Sequence, residues 1–193
     1  MRDVATPATR LSKGARREQL LDAALTIVRT RGADGLTLVT LAEAAGVSRP
    51  IVYDHFGTRA GLLIALYRQL DDRHRAALDE ALKTAEPTVA ATARVMSAAY
   101  FACSTDIPEF AALSAALKGN PEMEAIQHDL LNDYTTAMAT ALAPYSELPP
   151  KSLKLRCIGL LGAAEALATE LTHNRTTPRL ATSALTDLIT GNL

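Results

Sequence analysis

Apolar positions recur at helical spacing almost from one end of the chain to the other. Leu20, Leu21, Ala24, Leu25 and Val28 form one stripe over about 13–30, and Gly32 closes it. A short helix over about 37–44 follows, with Thr37 as its expected N-cap, then another over about 48–55 that stops before Gly57. A long helix over about 59–84 turns Leu62, Leu63, Leu66 and Leu70 inward. Further helices are expected near 88–104, 109–118, 122–143, 151–173 and 178–190. Pro87, Pro108, Pro121 and Pro178 each stand near the first turn of a new helix, where the missing N–H costs nothing, and Leu148-Pro149-Pro150 interrupts the chain before a long one. No alternating pattern of strand length occurs. The expected fold is all-α with about nine helices.

The segment Thr37–Phe56, TLVTLAEAAGVSRPIVYDHF, reads as helix, tight turn, helix. Leu38 and Leu41 face inward, and Ala42 is small enough for the second helix to cross closely. Gly46 stands where the chain needs a left-handed residue, a conformation that costs other residues about 1 kcal/mol or more. Val47 is expected to plug the gap, Ser48 to cap the second helix with its hydroxyl, and Pro50 to fill its first turn, while Val52 and Phe56 return to the core. In this helix-turn-helix layout the second helix is free to enter a DNA major groove. Its outward residues are Arg49, Tyr53 and His55, with Arg59 just beyond. Arg49 at a helix N-terminus opposes the macrodipole, a placement that makes sense if a phosphate or a guanine edge brings the negative charge. The plainer reading is a small helical hairpin with ordinary surface residues.

Charge sharpens that choice. The net charge of the 193-residue chain is -1, but residues 1–60 hold nine Lys/Arg against six Asp/Glu, for +3, and the remainder carries -4. Arg2, Arg10, Lys13, Arg16 and Arg17 crowd the first 17 residues against Asp3, so a basic head is set to meet a polyanion. Apolar residues at 48% and charged ones at 21% are a globular balance with room for a sizeable core. Two cysteines are too few for a disulfide scaffold and indicate a reducing compartment. The longest charge-free stretch, Tyr134–Ser146, is short of the ~18 residues a membrane-spanning helix needs, and MRDVATPATR lacks an apolar signal core. A cytoplasmic protein without membrane partners is expected.

GVSRPIVYDHFGTRAGLL resembles the signature of the TetR family of bacterial transcriptional regulators. The matching residues are the Gly46-Val47-Ser48 turn, Tyr53, His55-Phe56, Arg59 and Leu62-Leu63; upstream, Gly32 and the Leu41-Ala42-x-Ala44-Ala45 run fit as well. The resemblance covers roughly residues 15–66. It implies a homodimer that binds a near-palindromic DNA operator, usually represses, and is released by a small-molecule effector. It also implies that Ser48, Tyr53, His55 and Arg59 meet phosphates, that Arg49 and Pro50 touch bases, and that Thr37 lies where its helix meets the DNA backbone. Two departures stand out: Val39 and Thr40 replace a polar or basic and then an acidic residue, and Arg59 replaces the commoner Lys, keeping the charge but changing the donor geometry.

Residues 1–58 are thus expected to form a three-helix helix-turn-helix DNA-binding domain with a basic arm, and 59–193 a helical ligand-binding and dimerisation domain. Met96, Tyr100, Phe110, Tyr134, Met138 and Leu161 are the candidates to line an apolar effector pocket, although Met and aromatic residues at helical spacing are commonly plain core. Glu165 interrupts the apolar run from Cys157 to Ala168; the plainer reading is a partner inside the protein or exposure at the helix edge, and the sharper one is a buried carboxylate that orients a polar or cationic group of the ligand. Gly159, Gly162, Ala163 and Ala166 make a smooth stripe whose glycines each cost ~1 kcal/mol of helix propensity, so a close neighbour is expected over them. By resemblance that neighbour is a second copy, packed also against Leu185 and Leu188 of the last helix. Asp71, Asp72 and His74 diverge around a helix and read as a solvated face rather than a metal site, Cys103 and Cys157 read as inert core thiols, and His128 and His173 as surface residues. No phosphate loop, nucleophile elbow or zinc motif is present, so neither an enzyme nor a cofactor is expected. The competing classes are a helical-bundle enzyme or carrier, which leaves the basic head without a purpose, and a protein-interaction module whose helix-turn-helix packs against a partner protein.

Overall fold

The computed structural model describes residues 11–106 and 108–191, and the side chains of 103–108 are not among those described. Among the described residues nine α-helices run in chain order: α1 (Lys13–Arg31), α2 (Leu38–Ala45), α3 (Arg49–Phe56), α4 (Arg59–Thr84), α5 (Val89–Asp106), α6 (Pro108–Ala116), α7 (Pro121–Leu142), α8 (Pro150–Thr172) and α9 (Pro178–Thr190). The all-helical class expected from periodicity is what the chain adopts. Short 3-10 turns at Ala33–Gly35 and Ala143–Tyr145 complete it.

The chain divides into two compact units within α4, between Gln69 and Leu70. The expected division at residue 58 lies at the start of that helix instead. In the first unit the apolar stripes do what their spacing implies: Leu20, Ala24, Leu36, Leu41, Val52, Leu62 and Leu66 are fully enclosed. Ser12 caps α1 by accepting from the Ala15 N–H, and α2 opens with a capping box in which the Thr37 hydroxyl accepts from the Thr40 N–H while Thr40 Oγ1 accepts from the Thr37 N–H, both at 3.0 Å. Thr40 therefore closes the box in the place usually held by Glu or Gln.

In the second unit α5 packs on α9 and α8, and α7 and α9 pack on α8. Their shared core includes Met96, Phe101, Met138, Leu142, Cys157, Leu160 and Leu185. The Cys157 thiol is fully buried and burial raises its pKa, which makes it the inert thiol expected; Cys103 lies outside the described side chains. Among the described residues no helix is long and apolar enough to cross a membrane.

Candidate nucleic-acid interface

The turn between α2 and α3 is built as its residues dictate. Gly46 adopts φ 64°, ψ 34°, where a Cβ would be strained, and its N–H returns to the carbonyls of Ala42 and Glu43. Val47 is half-buried below the turn, and Val52 and Phe56 anchor α3 to the core. Ser48 occupies the N-cap position, but its hydroxyl makes no capping bond, contrary to expectation. Ser48 is exposed. Thr37 spends its hydroxyl on the capping box and is half-buried.

Arg49, Pro50 and Tyr53 are exposed on α3, Tyr53 by 50%, while His55 is half-buried. Arg49 is not without an anion: Nη2 lies 3.9 Å from Glu43 Oε1, both side chains more than 60% exposed. A pair so open and so long contributes little, about 0–1 kcal/mol, and yields readily to a phosphate or a base. Arg59, expected on a phosphate, is bonded within the protein. Its Nε donates to the Leu36 carbonyl at 2.9 Å, its Nη2 donates to the Ala33 carbonyl at 2.7 Å, and Nη2 lies 3.5 Å from Asp34 Oδ1. The planar guanidinium fork thus ties the start of α4 to the connection before α2, a bracing that the single ammonium of Lys lacks the geometry to repeat.

Arg17 is a second brace, and residue spacing gave no sign of it. Its Nη1 donates to the His55 carbonyl at 3.2 Å, and its guanidinium carbon lies 5.0 Å from the centre of the Phe56 ring, a cation–π contact. Lys13 lies 3.3 Å from Asp54 Oδ2. Part of the basic head thus holds α1 to α3, locking the outward helix in place. Arg16 donates to Gln19 Oε1, and Arg2 and Arg10 lie outside the described residues.

In the second unit an open cleft of about 550 Å³ runs between α4 and α7 and reaches α5; Met96, Tyr134 and Met138 line it together with Leu78, Leu82 and Arg75. Arg75 donates to Asp71 at 2.9 Å and lies 3.5 Å from Asp133; burial lowers its pKa, and these two carboxylates together outweigh it and raise the pKa. Asp71 is therefore an ion-pair partner and not part of a solvated face; beside it, burial lowers the pKa of His74 even though Asp71 acts in the other direction. Tyr100 and Leu161 line a separate void of about 10 Å³ with Met96, Tyr134 and Met138, too small to hold more than one water. Phe110 is half-buried in α6 and lines neither space. Glu165 is exposed on α8, which is the plainer of its two readings, and no buried carboxylate stands there. It breaks the apolar run because α8 carries a second face turned away from the core. His128 and His173 are exposed, as expected.

That second face is apolar. Leu155 and Ile158 are 69% and 51% exposed, Gly159, Gly162 and Ala166 are exposed with them, and among the described residues no atom beyond the helix's own backbone and chain neighbours lies within 4 Å of where a Cβ on either glycine would stand. On α9, Leu180 and Leu188 are 54% and 41% exposed. Leu185, expected on the same face, is buried in the unit's own core, and Ala163 is half-buried at the edge. Spacing at i+4 separates the two sides: Ala181, Leu185 and Ile189 turn in, while Leu180, Ala184 and Leu188 turn out.

Residues 20–66 match the family described as bacterial regulatory proteins, tetR family. The HTH-type transcriptional regulator AlkX of Mycobacterium tuberculosis is 37% identical over 67 residues, which are 35% of this chain and 32% of that protein. The chain spans about a third of the length of the curated relatives it matches first. Over nearly its whole length it shares its fold with a Rhodococcus protein of unknown function (TM-score 0.75, 25% identity, 97% of this chain and 98% of that one). It also shares it with the transcriptional regulator FadR of Bacillus subtilis, solved in complex with stearoyl-CoA (TM-score 0.68, 18% identity, 91% and 99%). The matched residues are those that build the helix-turn-helix, from the enclosed stripe of α1 through the outward face of α3 to the first turns of α4, and over that segment the chain matches the tetR family of bacterial regulatory proteins.

Proposed function

We propose that this protein is a ligand-responsive transcriptional repressor that binds a near-palindromic operator as a homodimer, acts in the cytoplasm and catalyses no reaction. The observation that carries the reading is α3: Val52 and Phe56 hold it to the core, Arg17 and Lys13 brace it, and its opposite face offers Arg49, Pro50 and Tyr53 to a partner. Arg49 reads a base, and Ser48, Tyr53 and His55 give affinity for the backbone, with Thr37 setting the entry of α2. A titration of random duplex DNA at low and then raised salt tests the reading. Binding should weaken as counterion release demands, with a slope of about -0.9 for each phosphate neutralised. Arg49→Ala should cost ~1–3 kcal/mol at its cognate base pair and relax preference there. Absence of binding at low salt overturns the proposal.

Two recognition helices must stand ~34–36 Å apart to reach successive major grooves, which requires a dimer. The outer face of α8 and α9 is the surface assigned to it, since Leu155, Ile158, Leu180 and Leu188 leave in water an apolar area of the kind that marks interfaces. The α4–α7 cleft, within the ~300–1,000 Å³ of typical small-molecule sites and walled by Leu78, Leu82, Met96 and Met138, is the assigned effector site. FadR's complex with stearoyl-CoA supports a mostly hydrophobic ligand. Such a ligand releases DNA only through its differential affinity for two conformations, typically worth ~1–3 kcal/mol.

A further inference from the structure

The face of α3 that would enter the groove is more apolar than its three polar candidates suggest. Val52 and Phe56 are buried, so a turn of about 100° per residue sends Pro50 and Asp54 straight outward, with Ile51 and Tyr53 to either side. Exposure agrees: Pro50 and Asp54 are exposed, Ile51 by 38% and Tyr53 by 50%. The Asp54 carboxylate lies 3.3 Å from Lys13 Nζ, so its charge meets DNA already balanced. What remains between Arg49 at one end and Asp54 at the other is a contiguous apolar surface of the Pro50 ring and the branched Ile51 side chain.

The major groove offers one apolar group to such a surface, the 5-methyl of thymine. Cytosine at the same place presents its amino group, and a purine presents N7 and either O6 or the N6 amino group. Each of these is a polar edge that Ile51 would strip of water and leave without a partner. We infer that Ile51, with Pro50, reads a thymine methyl in each half-site, next to the base pair contacted by Arg49. This inference rests on the DNA-binding reading and adds to it the base that the apolar part of α3 selects.

The test selects duplexes from a random library with the wild-type protein, then remakes the selected site with deoxyuridine in place of each thymine in turn. Removing the methyl at the position read by Ile51 should weaken binding about fourfold, the effect of exposing one methyl-sized group, while the other thymines tolerate it. A parallel selection with Ile51→Ser should lose the thymine preference at that position, and Ile51→Val should keep it. Binding that is retained with every thymine replaced by deoxyuridine, or an Ile51→Ser profile identical to wild type, overturns the thymine assignment while leaving DNA binding intact. Failure of the wild-type protein to bind any duplex overturns the DNA-binding reading beneath it.

Discussion

Arg59 shows how a residue with a legible charge takes a job that charge alone does not specify. Its guanidinium bonds the carbonyls of Ala33 and Leu36, two residues with 7% and 0% of their surface exposed. Removing it strips charge-assisted hydrogen bonds from enclosed acceptors, so Arg59→Ala should lower the stability of the first unit by ~1.5–3 kcal/mol. Urea unfolding followed by circular dichroism measures this. Had Arg59 served a phosphate, the same change would leave stability alone and reduce the salt slope of DNA binding by about one. His74 gives a second residue-scale expectation. Burial holds its pKa below 6.5, so the unfolded chain takes up a proton there more readily than the folded one. Its effect on stability is nil above pH 6.5 and grows as a loss once pH falls below that value. His74→Gln should therefore lose less melting temperature than wild type between pH 7 and 5, and equal losses would place the titration elsewhere.

At the scale of the element, α8 has two apolar sides with different duties. Leu153, Cys157, Leu160, Leu161 and Ala164 bury one side in the unit's own core. Leu155, Ile158, Gly159, Gly162 and Ala166 form the other, open to solvent within the protomer. Among the described residues the glycines have no neighbour packed over them to compensate their cost to the helix. Gly162→Arg should consequently leave a folded protomer with unchanged or slightly higher helicity, yet shift the sedimentation coefficient from dimer to monomer and abolish operator binding at the same time. A dimer that persists in the ultracentrifuge would move the interface away from this face. The α2–α3 pair illustrates the converse case. Gly46 at φ 64° and the Thr37–Thr40 box are local devices, and local devices are readable from spacing.

For the whole molecule, effector control is expected to reside in the α4–α7 cleft. Ala137 is exposed on its wall, so Ala137→Trp fills the space without disturbing the buried core. DNA affinity should stay within about twofold, and a ligand that releases the wild-type protein should need at least tenfold more to release this variant. An unchanged dose curve would exclude the cleft. The sequence by itself determined the order of nine helices, the turn at Gly46, and the inward stripes of α1, α3 and α4, because periodicity, caps and glycine conformations act within a few residues. It also named Arg49, Tyr53 and His55 as the outward residues of α3; Arg49 and Tyr53 are exposed there, and His55 is half-buried. Tertiary structure decided the rest. Arg17 reaches the His55 carbonyl across 38 residues and the Phe56 ring one residue further, and Arg59 reaches back 23 and 26, distances over which no local pattern speaks. Leu185 fell on the opposite side from that expected, and the choice between the two readings of Glu165 stayed open, because an apolar run on α8 or α9 records only that both faces are apolar. Which face meets the core, and which is left for a partner, depends on where α5 and α7 lie against these helices, and only packing settles that.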